Sequence, residues 1–266
     1  MASQASAGDP VGNEIASAAV GLLARKAEDR WPLMFVLAIL AGAFIALGSI
    51  GALVAKANMA NGGGVELLAG ATFSVGLLLV MVVGAQLFTG NTMMILSVVT
   101  GHLGVGQMAA AWAVVWLGNL MGGVAVALLF AGSGGLGDGV GDAAIALVDG
   151  KLTKSPAEIL CSGILANLLV CLAVWMSMTA RTLPAKVLVI IGPVTIFVAA
   201  GFEHCIANMA LIPLGWLAAP AEAPDLMSGA INLIVSTVGN IIGGSILAVA
   251  IAYGHGSIRR EPPAVE

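Results

Sequence analysis

The chain has 266 residues, 59% of them hydrophobic and only 9% charged, with 36 glycines and a net charge of −4. A soluble domain carries about 25% charged residues, so this composition excludes a protein with a water-facing globular surface, and no basic face exists for nucleic acid. Aromatics at 5% with so much glycine fit helices that approach closely in lipid.

Residues 1–30 include Asp9, Glu14, Glu28 and Asp29, too polar for a cleavable secretory signal. Within 13–30, Ile15, Val20, Leu22 and Leu23 recur among charges and predict an amphipathic helix on the inner membrane surface, with a solvated tail as the bland alternative. A bilayer core of about 30 Å needs about 20 apolar residues as helix. Six spans follow: 32–54, 66–100, 106–131, 157–180, 184–214 and 226–253. Gly101, His102, Gly104 and Gly106 supply the turn between the second and the third. The domain reading is thus a cytoplasmic segment 1–30, a transmembrane channel domain 31–255 and a cytoplasmic tail 256–266.

Two spans are unusual. Residues 66–100 as one helix would reach about 52 Å, and they carry Gln86, Thr89, Gly90 and Asn91 in the middle. Residues 184–214 hold Gly201, Glu203, His204 and Asn208 at mid-span. Both predict broken helices whose freed backbone groups line a cavity. Cys161, Cys171 and Cys205 sit inside apolar stretches and read as buried free thiols, with no metal or disulfide framework. Arg25, Lys26, Arg30, Arg181, Lys186, Arg259 and Arg260 against Lys56, Lys151 and Lys154 place both ends in the cytoplasm.

The segment Leu117-Gly118-Asn119-Leu120-Met121-Gly122-Gly123 recurs 121 positions later as Val238-Gly239-Asn240-Ile241-Ile242-Gly243-Gly244. The breaks at Thr89 and His204 lie 115 apart. Three spans followed by three predict inverted repeats, about 31–131 and 157–253, with paired interrupted helices at a midplane permeation site. The glycines of the two motifs are small-residue packing pairs, while Asn119 and Asn240 are suited to tie loose backbone groups of the broken helices.

An ionisable side chain at membrane depth is costly and marks function. Glu203 and His204 are the clear instances, His204 as a pore residue and Glu203 as an acceptor that fixes its loop through backbone or Asn donors. Ala85-Gln86-Leu87-Phe88-Thr89-Gly90-Asn91 and Gly201-Phe202-Glu203-His204-Cys205-Ile206-Ala207-Asn208-Met209 resemble the two signature loops of the formate/nitrite transporter family. The run 163–177 resembles the fourth helix of its formate channels, and the resemblance covers about residues 13 to 255.

That resemblance implies an all-α, aquaporin-like bundle of six helices with the second and fifth broken, assembled as a homopentamer with one pore per protomer. Thr89 and His204 would face each other at the pore centre, with Asn167 and Asn208 near them. Phe73, Leu77, Leu87, Phe88, Val170 and Phe197 would form the apolar constrictions, and Lys151 would make a vestibule positive. The implied cargo is a small monovalent anion, formate first, with nitrite or hydrosulfide as alternatives and acetate or lactate as further ones. No cofactor is implied. Gln86, where many members carry Asp or Glu, Cys205 in place of a common Ser, and the short connection 217–225 depart from the formate-channel pattern; the last leans towards nitrite.

Two other classes are disfavoured. Neutral-solute facilitators use paired Asn-Pro-Ala motifs, which are absent here. An intramembrane metalloprotease needs His-Glu-x-x-His spacing, and the chain has three histidines without it. Two mechanisms stay open for the anion: neutralisation by a proton at His204, or passage as an ion balanced by imidazolium.

Overall fold

A computed structural model describes residues 12–59 and 62–258. Asp9, Arg259, Arg260 and most of the 256–266 tail fall outside the described residues. The helices are α1 Asn13–Lys26, α2 Trp31–Lys56, α3 Gly63–Val83, α4 Phe88–Val99, α5 Val105–Gly132, α6 Val140–Leu152, α7 Pro156–Thr179, α8 Leu183–Ala199, α9 Cys205–Ala218 and α10 Leu226–Gly254. Five of them, α2, α3, α5, α7 and α10, are long and apolar enough to cross a bilayer. The six predicted spans are all present, and 66–100 and 184–214 are broken into α3/α4 and α8/α9.

Local chemistry sets the boundaries. Ser155 and Glu158 form a reciprocal capping box at the start of α7, with Pro156 in the first turn. Thr182 and Asp225 cap α8 and α10 through Ala185 N–H and Ser228 N–H. The first break opens at Gly84 (φ 75°) and the second at Gly201 (φ 65°), left-handed positions that glycine adopts without a Cβ clash. Between Thr92 and Met94, α4 tightens into a 3₁₀ turn.

The packing repeats across the chain. Helix α2 lies along α5 and against α3, as α7 lies along α10 and against α8, and α3 meets α8 between the halves. Two asparagines join each break to its half in the same way. Asn119 Oδ1 accepts from Phe88 N–H at 2.9 Å, while its Nδ2 donates to Ala38 O at 2.7 Å and Gln86 O at 2.9 Å. Asn240 Oδ1 accepts from Cys205 N–H at 2.9 Å, while its Nδ2 donates to Gly163 O at 2.8 Å and Glu203 O at 2.9 Å. Both amides are wholly buried.

This bonding register corrects the expected alignment of the breaks. Phe88 matches Cys205, an offset of 117, so the counterpart of His204 is Leu87 and not Thr89. It also enlarges the repeat: α1 stands to the first half as α6 stands to the second, with Lys26 and Lys151 closing the two helices 125 positions apart. Helix α6 was not predicted, because its buried side is short and includes Gly141 and Lys151, with Asp142, Asp149 and Gly150 exposed on the other side. The apolar side of α1 (Ile15, Ala16, Ala19, Val20, Leu23) is buried within the molecule, where Ser97 Oγ donates to Val20 O at 2.7 Å. Cys171 and Cys205 are buried free thiols, whereas Cys161 is exposed on α7, whose outer face also bears Leu165; apolar flanks do not distinguish a core-facing thiol from one on the outer face of a membrane helix.

Glycine sets the helix separation. A Cβ at Gly42 would strike the backbone of Asn119, and one at Gly122 that of Ile39. In the other half, a Cβ at Gly243 would strike Ile164 O and one at Gly239 Leu160 O. Gly122→Ala is expected to destabilise by about 1–3 kcal/mol through forced separation of α2 and α5. Gly106→Ala, where an added Cβ meets nothing within 4 Å, is the neutral control in a detergent thermal melt. Asn119→Ala and Asn240→Ala should each lower the melting midpoint, and by similar amounts, because each strands one N–H and two carbonyls at about 1–3 kcal/mol per group.

Candidate permeation site

Helix α9 begins at a histidine. His204 is its N-cap, and Nδ1 accepts from Ala207 N–H at 3.1 Å. That bond leaves Nδ1 without a proton and gives Nε2 the hydrogen of the neutral ring. Nε2 meets Thr89 Oγ1 at 3.0 Å, across 115 positions of chain. The threonine hydroxyl therefore accepts from the imidazole, and its own proton is free to be donated onward. Both side chains are buried where the two half-helices meet.

Polar groups gather behind this pair. Asn167 Nδ2 donates to Thr89 O at 3.2 Å, Thr92 Oγ1 at 3.0 Å and Asn240 O at 2.6 Å. Cys171 Sγ also donates to Thr89 O, at 3.3 Å. The Oδ1 atoms of Asn167 and Asn208 are buried and have no partner among the described residues. A buried acceptor in that condition is costly and takes a hydrogen bond from any donor that reaches it.

Glu203 lies fully buried beside His204. Its carboxylate takes Lys151 Nζ at 2.9 Å, Lys154 Nζ at 2.6 Å and Asn208 Nδ2 at 2.8 Å. Asn232 Nδ2 adds a longer contact of 3.4 Å, and Ser162 Oγ receives the Glu203 backbone N–H at 2.9 Å. The sequence predicted backbone and Asn donors for Glu203; two lysines take the main part. Lys151 is thus an ion-pair partner and not a lone vestibule charge. Two ammoniums on one carboxylate leave the cluster with a single positive charge.

One cavity is lined by Lys56, Glu66 and Lys151 and also by Phe73, Phe197, Asn208 and His204. Those rings meet edge to face with centroids 5.3 Å apart, and Phe197 lies 5.7 Å from the imidazole. Leu77, Leu87, Phe88 and Val170 are buried but do not line this cavity. Phe88 packs edge to face on Trp112, with centroids 6.2 Å apart, and Trp112 Nε1 donates to Asn91 O. The predicted residues are therefore split, with Phe73, Phe197, His204, Asn208 and Lys151 on one cavity and the other four apolar residues buried away from it.

Sequence reasoning passed over a second cluster. Lys26 Nζ donates to Asn91 Oδ1 at 3.2 Å, Asn91 Nδ2 to Gln86 Oε1 at 2.8 Å, and Gln86 Nε2 to Asp29 Oδ2 at 2.8 Å. In the repeat register, Lys26 matches Lys151, Asp29 matches Lys154, Gln86 matches Glu203 and Asn91 matches Asn208. The signal was available in the constant offsets of 125 and 117 between the pairs, but the second register appears only once the asparagine bonds are known. Among the described residues no group of three His, Cys, Asp or Glu could hold a metal ion.

The family model "Formate/nitrite transporter" matches residues 13–254. Formate channel FocA of Escherichia coli (strain K12) is 45% identical over 123 residues, 40% of this chain and 42% of that protein. Nitrite transporter NirC of Salmonella typhimurium is 36% identical over 145 residues, 54% of this chain and 53% of that protein. In these matches the chain spans about half the length of the curated relatives. A solved FNT family ion channel superposes with a TM-score of 0.82 at 32% identity, covering 93% of this chain and 99% of that one. A structure described as a pentameric formate channel with formate bound gives 0.77 at 32% identity, over 86% and 98%. With a family match across both repeats and the same fold in solved members, the chain is a multi-pass membrane protein of the formate/nitrite transporter family.

Proposed function

We propose that this protein is a channel for small monovalent anions, formate foremost, and not an enzyme. The observation that carries the reading is the buried contact of His204 Nε2 with Thr89 Oγ1 at 3.0 Å, where two half-helices meet at the floor of a lysine-mouthed cavity. Homopentameric assembly in the cell membrane with both termini cytoplasmic completes the proposal; it is supported by the Lys/Arg distribution and by the pentameric solved relative.

The electrostatics favour passage as the neutral acid. A bare anion among Phe and Leu side chains faces an idealised desolvation penalty of order 20 kcal/mol, several after relaxation. Protonating a carboxylate of pKa about 3.7 at pH 7 costs about 4.5 kcal/mol. His204 Nδ1 is engaged as the acceptor of a helix cap, so an imidazolium would have to break that cap. The ring thus supports hydrogen-bond donation through Thr89 better than standing charge compensation. A proton from bulk solution neutralises the anion before it leaves the vestibule, Thr89 donates to its carbonyl-type oxygen, and the unpartnered Oδ1 atoms of Asn167 and Asn208 suit the O–H that the neutral acid now carries. Phe73 and Phe197 at the cavity, with Leu77, Leu87, Phe88 and Val170 buried beyond it, then admit an uncharged solute and hold back ions.

Nitrite is the second reading, supported by the match to a nitrite transporter and by the short 217–225 connection. Hydrosulfide, acetate and lactate complete a flux panel in proteoliposomes, and a swelling assay with glycerol against formate tests the neutral-solute alternative. At fixed total formate, influx should fall about tenfold per pH unit above the pKa of the acid. His204→Phe should cut flux by about tenfold or more, the worth of one buried hydrogen bond. His204→Asn, which keeps an N–H to donate towards Thr89, should retain more flux than His204→Phe. Unchanged proton-coupled flux through both variants refutes a hydrogen-bonding role for His204.

A further inference from the structure

The cavity mouth holds a third lysine that the Glu203 cluster does not use. Lys56, in the last turn of α2, places Nζ 2.7 Å from both carboxylate oxygens of Glu66, in the first turn of α3. Lys56 lines the cavity that leads to His204 and also the adjoining vestibule of Lys151 and Lys154, while Glu66 lines the first of these. The two side chains are 21% and 33% exposed, so the pair stands in the path of anything that enters from this mouth.

The geometry of the pair is that of an anion site already filled. A carboxylate holding an ammonium through both oxygens makes the contact that free formate or nitrite, each with two oxygens on one atom, would make in its place. Glu66 is in effect a tethered competitor. The pair is also easy to open. A half-buried ion pair that solvent still reaches is screened and contributes only modestly to stability. Each partner has a second source of stabilisation, a cation at a helix C-terminus and an anion at a helix N-terminus, so separating them leaves neither helix end uncompensated. Lys151 differs: it is buried and tied to a buried carboxylate, and it cannot release its partner without stranding a charge.

Resting on the anion-channel reading above, we propose that Lys56 is a recruiting site for small carboxylates and nitrite at this mouth, occupied by the Glu66 carboxylate until an arriving anion displaces it. Displacement turns the Lys56–Glu66 pair into a cation–substrate pair beside the positive Glu203 cluster and delivers the anion to the cavity that Phe73, Phe197 and His204 line. The device sets the concentration at which the mouth fills and leaves the barrier at His204 unchanged.

The test is initial formate influx through the full-length protein in proteoliposomes sorted by sidedness, with formate titrated at the Lys56 face. Glu66→Gln should lower the half-saturating concentration about fivefold, the weight of one unit charge at 4 Å in water, with the saturated rate unchanged. Lys56→Met should raise it. Glu66→Gln added to Lys56→Met should have no further effect; a drop there would mean a long-range field and would overturn the proposal. An unchanged half-saturation in Glu66→Gln overturns it as well, while the wild-type flux still supports the channel reading. Absence of formate and nitrite flux in wild type overturns both. If Glu66→Gln fails to assemble, Glu66→Asp, too short to hold Nζ through both oxygens, should shift half-saturation in the same direction by less, and no shift overturns the inference.

Discussion

Interrupting a helix inside a bilayer strands N–H and C=O groups where no water can reach them, at several kcal/mol each. The architecture depends on how that demand is met. One buried asparagine per half accepts from the first N–H of the half-helix and donates to a carbonyl of the preceding loop and to a neighbouring span. A carboxamide suits the task because it carries an acceptor and two donors without charge. The glycines beside each asparagine let α2 approach α5 and α7 approach α10 closely enough for the third bond, to Ala38 O and Gly163 O. Close packing and backbone satisfaction are therefore one constraint, which explains why asparagine and glycine occur together in both halves.

The same scaffold carries different chemistry in its two copies. Leu87 and His204 occupy equivalent positions before the half-helices, as do Gln86 and Glu203, and Asp29 and Lys154. The first half is held by a chain of amides ending on one carboxylate, with Lys26 set against Asn91. The second half replaces the amide with a buried glutamate and so needs two lysines to be tolerated. The His204–Thr89 contact exists because this symmetry is broken. A leucine at 204 could neither cap Ala207 nor reach Thr89, and the imidazole does both.

Much of the fold was legible in the sequence, for identifiable reasons. The spans follow from uncharged runs, and the breaks from polar residues and glycines at mid-run. Asn119 and Asn240 were recognised because a seven-residue pattern repeats around them. Helix α6 was missed because it is short and its buried side mixes Gly141 and Lys151 with only a few apolar residues. Lys26 and Asp29 were missed because single charges 65 and 57 positions from Asn91 and Gln86 carry no motif; only the hydrogen bonds reveal their register. Glu203 was read as an anchor for its loop, but its lysine partners come from the end of α6 and the bend that follows it, 52 and 49 residues away, a contact that local sequence does not encode.

The paired state of the lysines bears on throughput. A conduit must attract its cargo and also release it, so a deep well near the entrance would slow passage as surely as a barrier. An unpaired buried lysine facing a carboxylate substrate would make such a well, since charge attraction rises steeply as the local dielectric falls. Sharing one glutamate between Lys151 and Lys154 leaves a diffuse single charge in place of two concentrated ones. It also keeps Glu203 from repelling the anion it stands beside. On the proposed reading, the mouth is positive enough to gather anions and too weakly so to hold them, and discrimination is left to the His204–Thr89 contact, which is buried and where each hydrogen bond counts most.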